Sequence, residues 1–377
     1  MSTSTSSTAI RFPCAGCAGP MVFDSESQNL KCRYCGAERS IDNVMEQPQE
    51  HPFDNEGDNL EALHDWGTEQ QLIHCETCGG ETLIPAGQTT SQCVFCGSPK
   101  VLPQADSGSI RPESVIPFQI SRDEALSSFS AWKKKRWFLP GAFKKQNVNS
   151  ELNSIYIPYW TYDTDTYSVY TAEVGIYHYR TVTRTRVVNG KSETYTATER
   201  YTVWHPTRGD YDRSFDDLLI PASGHYDSGL LGKLGDFELS ELRTYQPEYL
   251  SGYISERYSV SREQGWEEAR EIADDTLKSE IKQVIGGDEI RNLNIRTSYD
   301  DITYKHLLLP VWNANYTYKS KSYYYMVNGQ TGTVSGHVPR SAVKITLFTL
   351  LCIGIAGLVV LFILSQQDTS VQESLIR

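Results

Sequence analysis

The sequence predicts a multidomain protein with two small four-cysteine modules, a β-rich α+β domain and one apolar helix near the C-terminus. Three observations lead to this architecture: eight of the nine cysteines lie within residues 14–96, 22 of the 23 tyrosines follow residue 150, and residues 345–364 form an uncharged apolar run. A chain of 377 residues exceeds the roughly 100–200 residues of one domain. Its formal charge of −12 argues against a dedicated nucleic-acid binder, which needs clustered cations to contact phosphate.

The eight cysteines form two frames with the same spacing. In each frame a Cys-x-x-Cys pair is followed after 14 residues by a second pair, and each cysteine of the second frame lies 61 residues after its counterpart. The first frame consists of Cys14, Cys17, Cys32 and Cys35, and the second of Cys75, Cys78, Cys93 and Cys96. The middle gap is just below the roughly 15–20 residues usual for a four-cysteine zinc site. The repetition indicates an internal duplication of one module.

Zinc is the metal that these frames favour. A Cys-x-x-Cys turn places two thiolates on one side of the backbone, and two such turns supply four sulfurs in a tetrahedron. Gly36 and Gly97 follow the last cysteine of each frame, where the chain must turn back. Modules this small also need a metal in place of a large core. We therefore expect two structural Zn²⁺ ions in zinc ribbons at residues 11–40 and 71–102, and four cysteine ligands leave no open position for catalysis.

Two other uses of the cysteines explain their pattern less well than zinc. Disulfides are disfavoured if these modules lie in the cytoplasm. A redox dithiol would explain one isolated pair, but it does not explain two pairs duplicated in register. Zinc remains the interpretation that accounts for all eight cysteines.

The two ends of the chain differ. Residues 1–10 are rich in Ser and Thr and lack an apolar run, so they are expected to be disordered rather than a signal peptide. The 20 residues 345–364 would span about 30 Å as a helix, the thickness of a bilayer core, and they are apolar on every face, unlike a buried core helix. Arg340 and Lys344 precede this transmembrane helix, whereas the short tail at residues 365–377 adds only Arg377 against two acids. The positive-inside rule therefore predicts a single-pass, tail-anchored protein of the cell membrane with its N-terminal domains in the cytoplasm.

Two linkers are predicted around the second ribbon. Residues 41–70 hold nine acids and no Lys or Arg, which is typical of a self-repelling spacer. His51 and His64 lie in this spacer and are expected to be solvated. Residues 103–112 form the second linker.

A basic run follows the second linker. A helix is predicted to begin at the capping box formed by Ser121 and Glu124 and to end in the run Trp132-Lys-Lys-Lys-Arg-Trp-Phe138. The cations Lys133–Arg136 admit three interpretations: a solvated helix end, an anionic lipid surface near the anchor, or a nucleic-acid contact.

Residues 113–340 are predicted to form the tyrosine-rich antiparallel domain. Asn189-Gly190 is a strong hairpin signal, and pairing outward from it sets Arg186 opposite Glu193 and Arg180 opposite Glu199. A second helix is expected from the capping box at Ser261 to about Ile285, with Trp266, Ala269, Ile272 or Ala273, Leu277, Ile281 and Val284 as its buried stripe. Strands are expected around residues 307–318 and 323–327. The sequence holds no phosphate-binding GxxxxGK[ST] loop, which excludes an ATPase or helicase motor of that type.

The stretches CAGC…CRYCG and CETCGG…CVFCGS resemble the zinc ribbons of transcription factor IIB and of the primosomal helicase. Such ribbons contact nucleic acid or protein. Residues 11–40 carry four cations against three acids and residues 71–102 one against two, so protein contact is the favoured interpretation.

The whole layout resembles an uncharacterised bacterial family of tail-anchored double zinc-ribbon membrane proteins, often labelled as related to the primosomal helicase. The matching stretches are Ile116-Pro117-Phe118, Ile157-Pro158-Tyr159-Trp160, Pro247-Glu248-Tyr249-Leu250-x-Gly252, Leu308-Leu309-Pro310-Val311-Trp312 and Val327-Asn328-Gly329-Gln330-Thr331-Gly332. The resemblance implies no established activity. Proteins of this family sometimes accompany membrane-organising scaffold proteins, so the resemblance suggests such a scaffold as the partner.

The sequence therefore favours a non-enzymatic, membrane-anchored zinc-binding adaptor whose ribbons dock a protein partner. The alternative is a nucleic-acid-binding protein, associated with replication or a helicase, that uses the ribbons and Lys133–Arg136. A third hypothesis is a hydrolase in the β-rich domain, assembled from residues such as Asp163, Asp165 and His178.

Overall fold

The computed structural model describes residues 12–42, 50–53, 66, 70–85, 90, 92–104, 110–145, 152–188, 191–318 and 321–375. The strands are β1 (Met21–Asp24), β2 (Asn29–Cys32), β3 (Glu38–Arg39), β4 (His51–Pro52), β5 (Gln70–Cys75), β6 (Glu81–Pro85), β7 (Val101–Gln104), β8 (Ser114–Val115), β9 (Leu152–Val188), β10 (Lys191–Pro221), β11 (Arg243–Thr244), β12 (Ile254–Glu256), β13 (Glu289–Tyr318), β14 (Lys321–Asn328) and β15 (Val334–Gly336). The helices are α1 (Arg122–Lys135), α2 (Gly141–Lys145), α3 (Ser228–Leu231), α4 (Arg262–Ile285) and α5 (Ala342–Leu375), with 3-10 turns at Gly232–Leu234, Leu239–Glu241 and Pro247–Leu250.

Two sheets contain these strands. The first is a small antiparallel sheet in the order β1-β2-β3, formed within the first cysteine module. The second has the order β11-β8-β13-β9-β12-β6-β5-β7, with β10 beside β9, β4 and β14 beside β13, and β15 beside β14. The strands of the second cysteine module, β5 to β7, therefore belong to the same sheet as the tyrosine-rich domain.

The long hairpin of β9 and β10 is the backbone of the larger sheet. Its register sets Arg186 opposite Glu193 and Arg180 opposite Glu199, as the sequence predicts, and the two pairs are joined by ion pairs of 3.5 and 2.9 Å. The turn at residues 189–190 lies outside the described residues. On the other edge of β9, β13 pairs from Ala314 opposite Leu152 to Glu289 opposite Gly175. Residues 176–188 and 191–203 therefore extend past the end of β13 as a two-stranded ribbon.

Two of the apolar stretches that carry the family resemblance meet at the centre of this sheet. Leu309 pairs with Ile157 and Leu307 with Tyr159, so the segments that contain them are antiparallel neighbours. Both are fully or almost fully buried. The two similar sequences therefore form adjacent strands of one buried part of the sheet.

Helices α1 and α4 begin at the capping boxes that the sequence predicts, at Ser121 and Ser261. Helix α4 ends at Ile285 and is followed by Gly286, whose φ of +67° suits a residue without a side chain. Its buried stripe comprises Trp266, Ala269, Ala273, Leu277 and Ile281. Of the alternatives Ile272 and Ala273, the structure buries Ala273 and leaves Ile272 49% exposed, and one expected position is wrong because Val284 is 56% exposed.

The acidic spacer is anchored at two of its described points. The expectation that His51 is solvated is wrong, because β4 pairs with β13 and the His51 Nε2 atom lies 3.1 Å from Glu113 Oε1. Trp66 is 5% exposed, and its ring lies against Tyr245 and His306. These contacts cannot be predicted from the local run of acids, because each one joins a single aromatic residue of the spacer to residues that are distant in sequence. His64 lies outside the described residues.

Helix α5 is long and apolar enough to cross a membrane. The stretch Ala342–Val360 has a mean hydropathy of 2.3 and is 0% buried inside the protein. The helix begins three residues before the predicted run and continues to Leu375, past the predicted end at residue 364. Side chains are described only up to residue 360.

Candidate metal centres

Each cysteine frame is built from two copies of one backbone turn. The carbonyl of the first cysteine in each pair accepts a hydrogen bond from the amide four residues on, at 2.8 to 3.0 Å, and its own amide donates to the carbonyl five residues on. The four turns begin at Cys14, Cys32, Cys75 and Cys93. The fourfold repetition supports the internal duplication that the cysteine spacing indicates.

The residue after each pair has a left-handed backbone. Gly36, Gly79 and Gly97 have φ values of +73° to +74°, and Ala18 occupies the equivalent place with a φ of +57°. The sequence points to the glycines after Cys35 and Cys96, and the structure adds Gly79 and Ala18. Because a Cβ atom disfavours this conformation, Ala18 strains the first turn.

The structure brings all eight predicted ligands together in two groups of four. Within each group the Sγ atoms lie within 4.8 Å of one another. In the first group Cys14 lies 3.5 Å from Cys35 and Cys17 lies 3.4 Å from Cys32. In the second group the corresponding distances, from Cys75 to Cys96 and from Cys78 to Cys93, are 3.7 and 3.6 Å.

Backbone amides favour the thiolate form at several of these sulfurs. The amides of Cys35 and Tyr34 lower the pKa of Cys32 to about 6, and those of Gly16 and Cys17 lower the pKa of Cys14. Burial acts in the opposite direction at the second group, where it raises the pKa of Cys93. Thiolates are the form that binds a metal.

The donor set fits a soft or borderline cation. Four sulfurs this close, with amides turned toward them, could hold a metal ion such as zinc in a tetrahedral site. A divalent ion would relieve the repulsion among neighbouring thiolates, which the backbone turns hold together. One cysteine of each pair is buried and the other is exposed in both groups.

The first module docks onto the segment that follows the 3-10 turn at Pro247–Leu250. The Phe23 amide donates to the Ser251 carbonyl at 2.9 Å, and the Ser251 hydroxyl donates to the Met21 carbonyl at 2.8 Å. Gly252 has a φ of +88°, and a Cβ atom there would lie 2.9 Å from Val22. The Phe23 ring meets the edge of the Tyr249 ring at 5.5 Å. The family stretch Pro247-Glu248-Tyr249-Leu250-x-Gly252 is therefore a docking site for the first module.

The second module is joined to the sheet by the next few residues of the same segment. Ser255 pairs with Leu83 and Glu256 with Thr82, while Ile254 pairs with Ile155 of β9. The sequence contains no local signal for this pairing, because the two strands lie more than 160 residues apart.

Aromatic packing covers one side of the second module. The Phe95 ring, which stands between Cys93 and Cys96, lies 5.0 Å from His225 and 5.5 Å from Tyr226. Asn313 donates to the Val94 carbonyl at 2.8 Å. In the first module the equivalent residue is Tyr34, which is 78% exposed.

A buried carboxyl lies at the seam between the second module and the sheet. Glu256 is 0% exposed, and Ser223 donates to its Oε1 at 2.5 Å. Burial raises the pKa of Glu256 to about 8, so the carboxyl keeps its proton near neutral pH.

The basic run is not one continuous cationic patch. Lys133 is 6% exposed, with its Nζ over the rings of Phe129 and Phe143 at 5.2 and 5.4 Å. Arg136 stacks on Trp132 at 4.0 Å. Lys134 and Lys135 are exposed.

The residues considered for a hydrolase are separated. Asp163 and His178 lie fifteen positions apart on β9, which corresponds to about 50 Å along an extended strand. Asp163 accepts a hydrogen bond from the Asp217 amide and lies 3.7 Å from Lys305, and Asp165 accepts one from Ser214. His178 stacks on Tyr201 in the two-stranded ribbon. The structure thus brings Asp163 together with Asp217 and Lys305. This cluster depends on a β-bulge in β10, for which the sequence contains no signal.

Comparisons with known proteins identify a relative of similar length. The chain is 30% identical over 353 residues to the uncharacterized protein YdjG of Bacillus subtilis (strain 168), and the match covers 92% of this chain and 94% of that protein. No protein-family model matches the chain, and no solved structure matches it.

Proposed function

The chain belongs to the same family as YdjG of Bacillus subtilis, and we propose that it is a membrane-anchored, zinc-binding adaptor that presents a protein-docking surface at the cytoplasmic face of the cell membrane. The observation that carries the proposal is the pair of four-sulfur groups, each held by two identical backbone turns. Each group would bind one structural Zn²⁺ ion in a zinc ribbon.

Zinc is preferred over other metals because the donor set is four thiolates, which zinc binds in structural sites. With four protein ligands the ion has no open position for water or substrate, so its role is to hold the module in shape. This favours an adaptor over a zinc hydrolase.

The adaptor is compact in its described parts. One buried cluster includes Phe23 and Leu30 of the first module, Leu83 of the second, and Phe118 and Tyr156 of the tyrosine-rich domain. The modules therefore share a core with the domain, although the sequence predicts a self-repelling spacer between them. A partner would meet a fixed surface.

The first module supplies the surface that fits a partner best. Tyr34 is 78% exposed on the module, and a groove of about 560 Å³ runs between the module and the sheet. Phe23, Lys31, Arg33, Arg122 and Tyr253 are among its lining residues. Exposed aromatic residues and arginines are enriched at protein interfaces, and this module presents both.

Nucleic-acid binding is the alternative that the basic run suggested. Burial of Lys133 leaves one free cation fewer in this run than the sequence implies. Phosphate binding draws its affinity from such cations, so protein docking is favoured.

Metal analysis of the purified full chain tests the zinc assignment. We expect two zinc ions per chain, and one or none would contradict it. Resistance of the chain to alkaline extraction from membranes tests the anchor.

Site-specific photocrosslinking in intact membranes tests the adaptor role. A crosslinking residue at Tyr34 should give a discrete protein adduct that disappears in the Cys32→Ser background, because the surface depends on the module. The matched control is a crosslinker at Tyr195, an exposed tyrosine of the two-stranded ribbon. Equal labelling from both positions, or none from Tyr34, would reject the proposed docking surface.

A further inference from the structure

The end of the basic run is fixed against the start of α5. The Ser341 amide donates to the Phe138 carbonyl at 2.8 Å, and Lys344 Nζ donates to the carbonyls of Trp137 and Leu139 at 3.1 and 2.9 Å. The Phe138 ring meets the edge of the Phe348 ring at 5.5 Å. The segment after α1 therefore lies beside the first two turns of the apolar helix.

Among the side chains that the structure describes here, four cations remain exposed around this contact. The exposed cations are Lys134, Lys135, Arg136 and Arg340. In contrast, Lys133 is buried, and Lys344 donates hydrogen bonds to the two carbonyls named above. These four cations and the first part of α5 lie within residues 125–150 and 302–367, which hold no Asp or Glu. The positive charge at the start of α5 is thus not neutralised by acids of these two segments.

Two exposed aromatic rings accompany the cations. Trp137 is 72% exposed and Phe138 is 36% exposed. Tryptophan is enriched where a transmembrane segment meets the headgroup layer, because its ring is apolar and its N–H is polar. An exposed tryptophan at the start of an uncovered apolar helix fits this depth.

We propose that residues 134–138 together with Arg340, here called the collar, bind the headgroups of anionic phospholipids in the leaflet that α5 enters. The cations face the phosphates and Trp137 lies at the depth of the headgroups. The inference rests on the proposed membrane anchoring and adds a lipid class to it. It also explains why the basic run and the C-terminal helix pack together although about 200 residues separate them.

The position of the collar favours lipid over nucleic acid. Its cations lie beside the first turn of a helix whose apolar surface is 0% buried within the protein. A duplex bound there would have to displace the membrane surface, whereas lipid headgroups already lie at that level.

Quenching of tryptophan fluorescence by brominated lipid tests the collar. The full-length chain is reconstituted in nanodiscs that contain the same fraction of brominated lipid, either phosphatidylglycerol or phosphatidylcholine. The Trp137→Phe variant identifies the signal of this one ring. Since each cation near an anionic surface adds roughly a fivefold preference, quenching by the anionic lipid should clearly exceed quenching by the neutral one.

Charge variants connect that preference to the collar. The combined change Lys134→Gln, Lys135→Gln and Arg136→Gln should abolish the difference between the two lipids. The matched control, Lys278→Gln with Lys282→Gln on the exposed side of α4, should retain it.

Four outcomes overturn the inference in distinguishable ways. Equal quenching by both lipids in the unmodified chain would contradict the preference for anionic lipid. Absence of a Trp137 signal in a chain that resists alkaline extraction would contradict lipid binding by the collar but not the membrane anchor. Release of the chain by alkaline extraction removes the anchor and the collar together. Salt-sensitive DNA binding that is lost in the charge variant, with lipid quenching unchanged, assigns the cations to nucleic acid.

Discussion

The two cysteine modules have the same spacing and the same backbone turns, but their surroundings differ. The first has its own three-stranded sheet and leaves Tyr34 78% exposed. The second continues into the main sheet through β6 and β12, and its Phe95 ring lies against His225 and Tyr226. The comparison teaches that the cysteines determine the geometry of the metal site, whereas the residues between them determine how much of the module remains exposed.

Substitution of one cysteine ligand in each module should give the largest difference in stability between the two modules. Cys93→Ser and Cys32→Ser are each expected to lower the zinc content by one ion, but Cys93→Ser should lower the melting temperature far more. The reason is that a structural zinc site contributes about 10–16 kcal/mol to folding, and the second module is part of the main sheet. Elemental analysis and calorimetry measure both effects.

Cys352→Ser is the matched control, since Cys352 lies in α5 away from both groups. It should leave two zinc ions bound. A larger loss of stability in Cys32→Ser than in Cys93→Ser would contradict the comparison.

The buried carboxyl at the second seam should make stability depend on pH. Burial raises the pKa of Glu256 from 4.5 to about 8, so between these values the native carboxyl keeps a proton that the unfolded chain releases. The free energy of unfolding therefore falls as the pH rises through this window. Glu256→Gln should remove this loss, and its advantage over the unmodified chain should grow from near zero at low pH to at most about 4 kcal/mol at the upper end.

Denaturant unfolding of both chains across the window measures this advantage. Taking the difference between the chains cancels the titration of the cysteines. An advantage that is constant with pH would show that Glu256 is ionised in the native protein.

Removal of the equivalent aromatic ring in each module should have unequal costs. Phe95→Ala is expected to destabilise the protein by about 2–3 kcal/mol, because the ring is partly buried against two others. Tyr34→Ala should change the free energy of unfolding by less than about 0.5 kcal/mol, as for other exposed side chains. Similar losses in chemical denaturation would mean that the first module is covered as well.

Substitutions at the left-handed residue after the first Cys-x-x-Cys pair of each module should have small effects of opposite sign. Ala18→Gly in the first module should stabilise it by about 0.5–1 kcal/mol by relieving a φ of +57°. Gly79→Ala at the equivalent place in the second module should destabilise by a similar amount, since its φ is +74°. Melting curves of the zinc-loaded variants measure both, and equal signs would contradict the equivalence of the turns.

Local features of the fold were predictable from the sequence. The spacing of the cysteines identifies both four-sulfur groups, the turn signal gives the register of Arg186 and Glu193, and Ser121 and Ser261 mark the helix starts. Each of these depends on residues close in sequence, where spacing and backbone geometry determine the contact.

Contacts between distant segments were not predictable. The strand β13 begins at Glu289, well before the expected start near residue 307, because it is stabilised by β9 rather than by its own composition. Burial of Lys133 depends on Phe143 of the following helix. The pairing of Glu256 with Thr82 depends on two short strands that carry no pattern of their own.

The segment from Pro247 to Glu256 has a consequence for the order in which the protein forms during synthesis. Ser251 holds the first module and Ser255 the second, yet Ser251 is made 155 residues after Cys96, the last cysteine of either group. Both modules are therefore fully synthesised long before their docking site leaves the ribosome. Until this segment is made neither module has its docking site, so any metal bound before then is bound by each module as a separate unit.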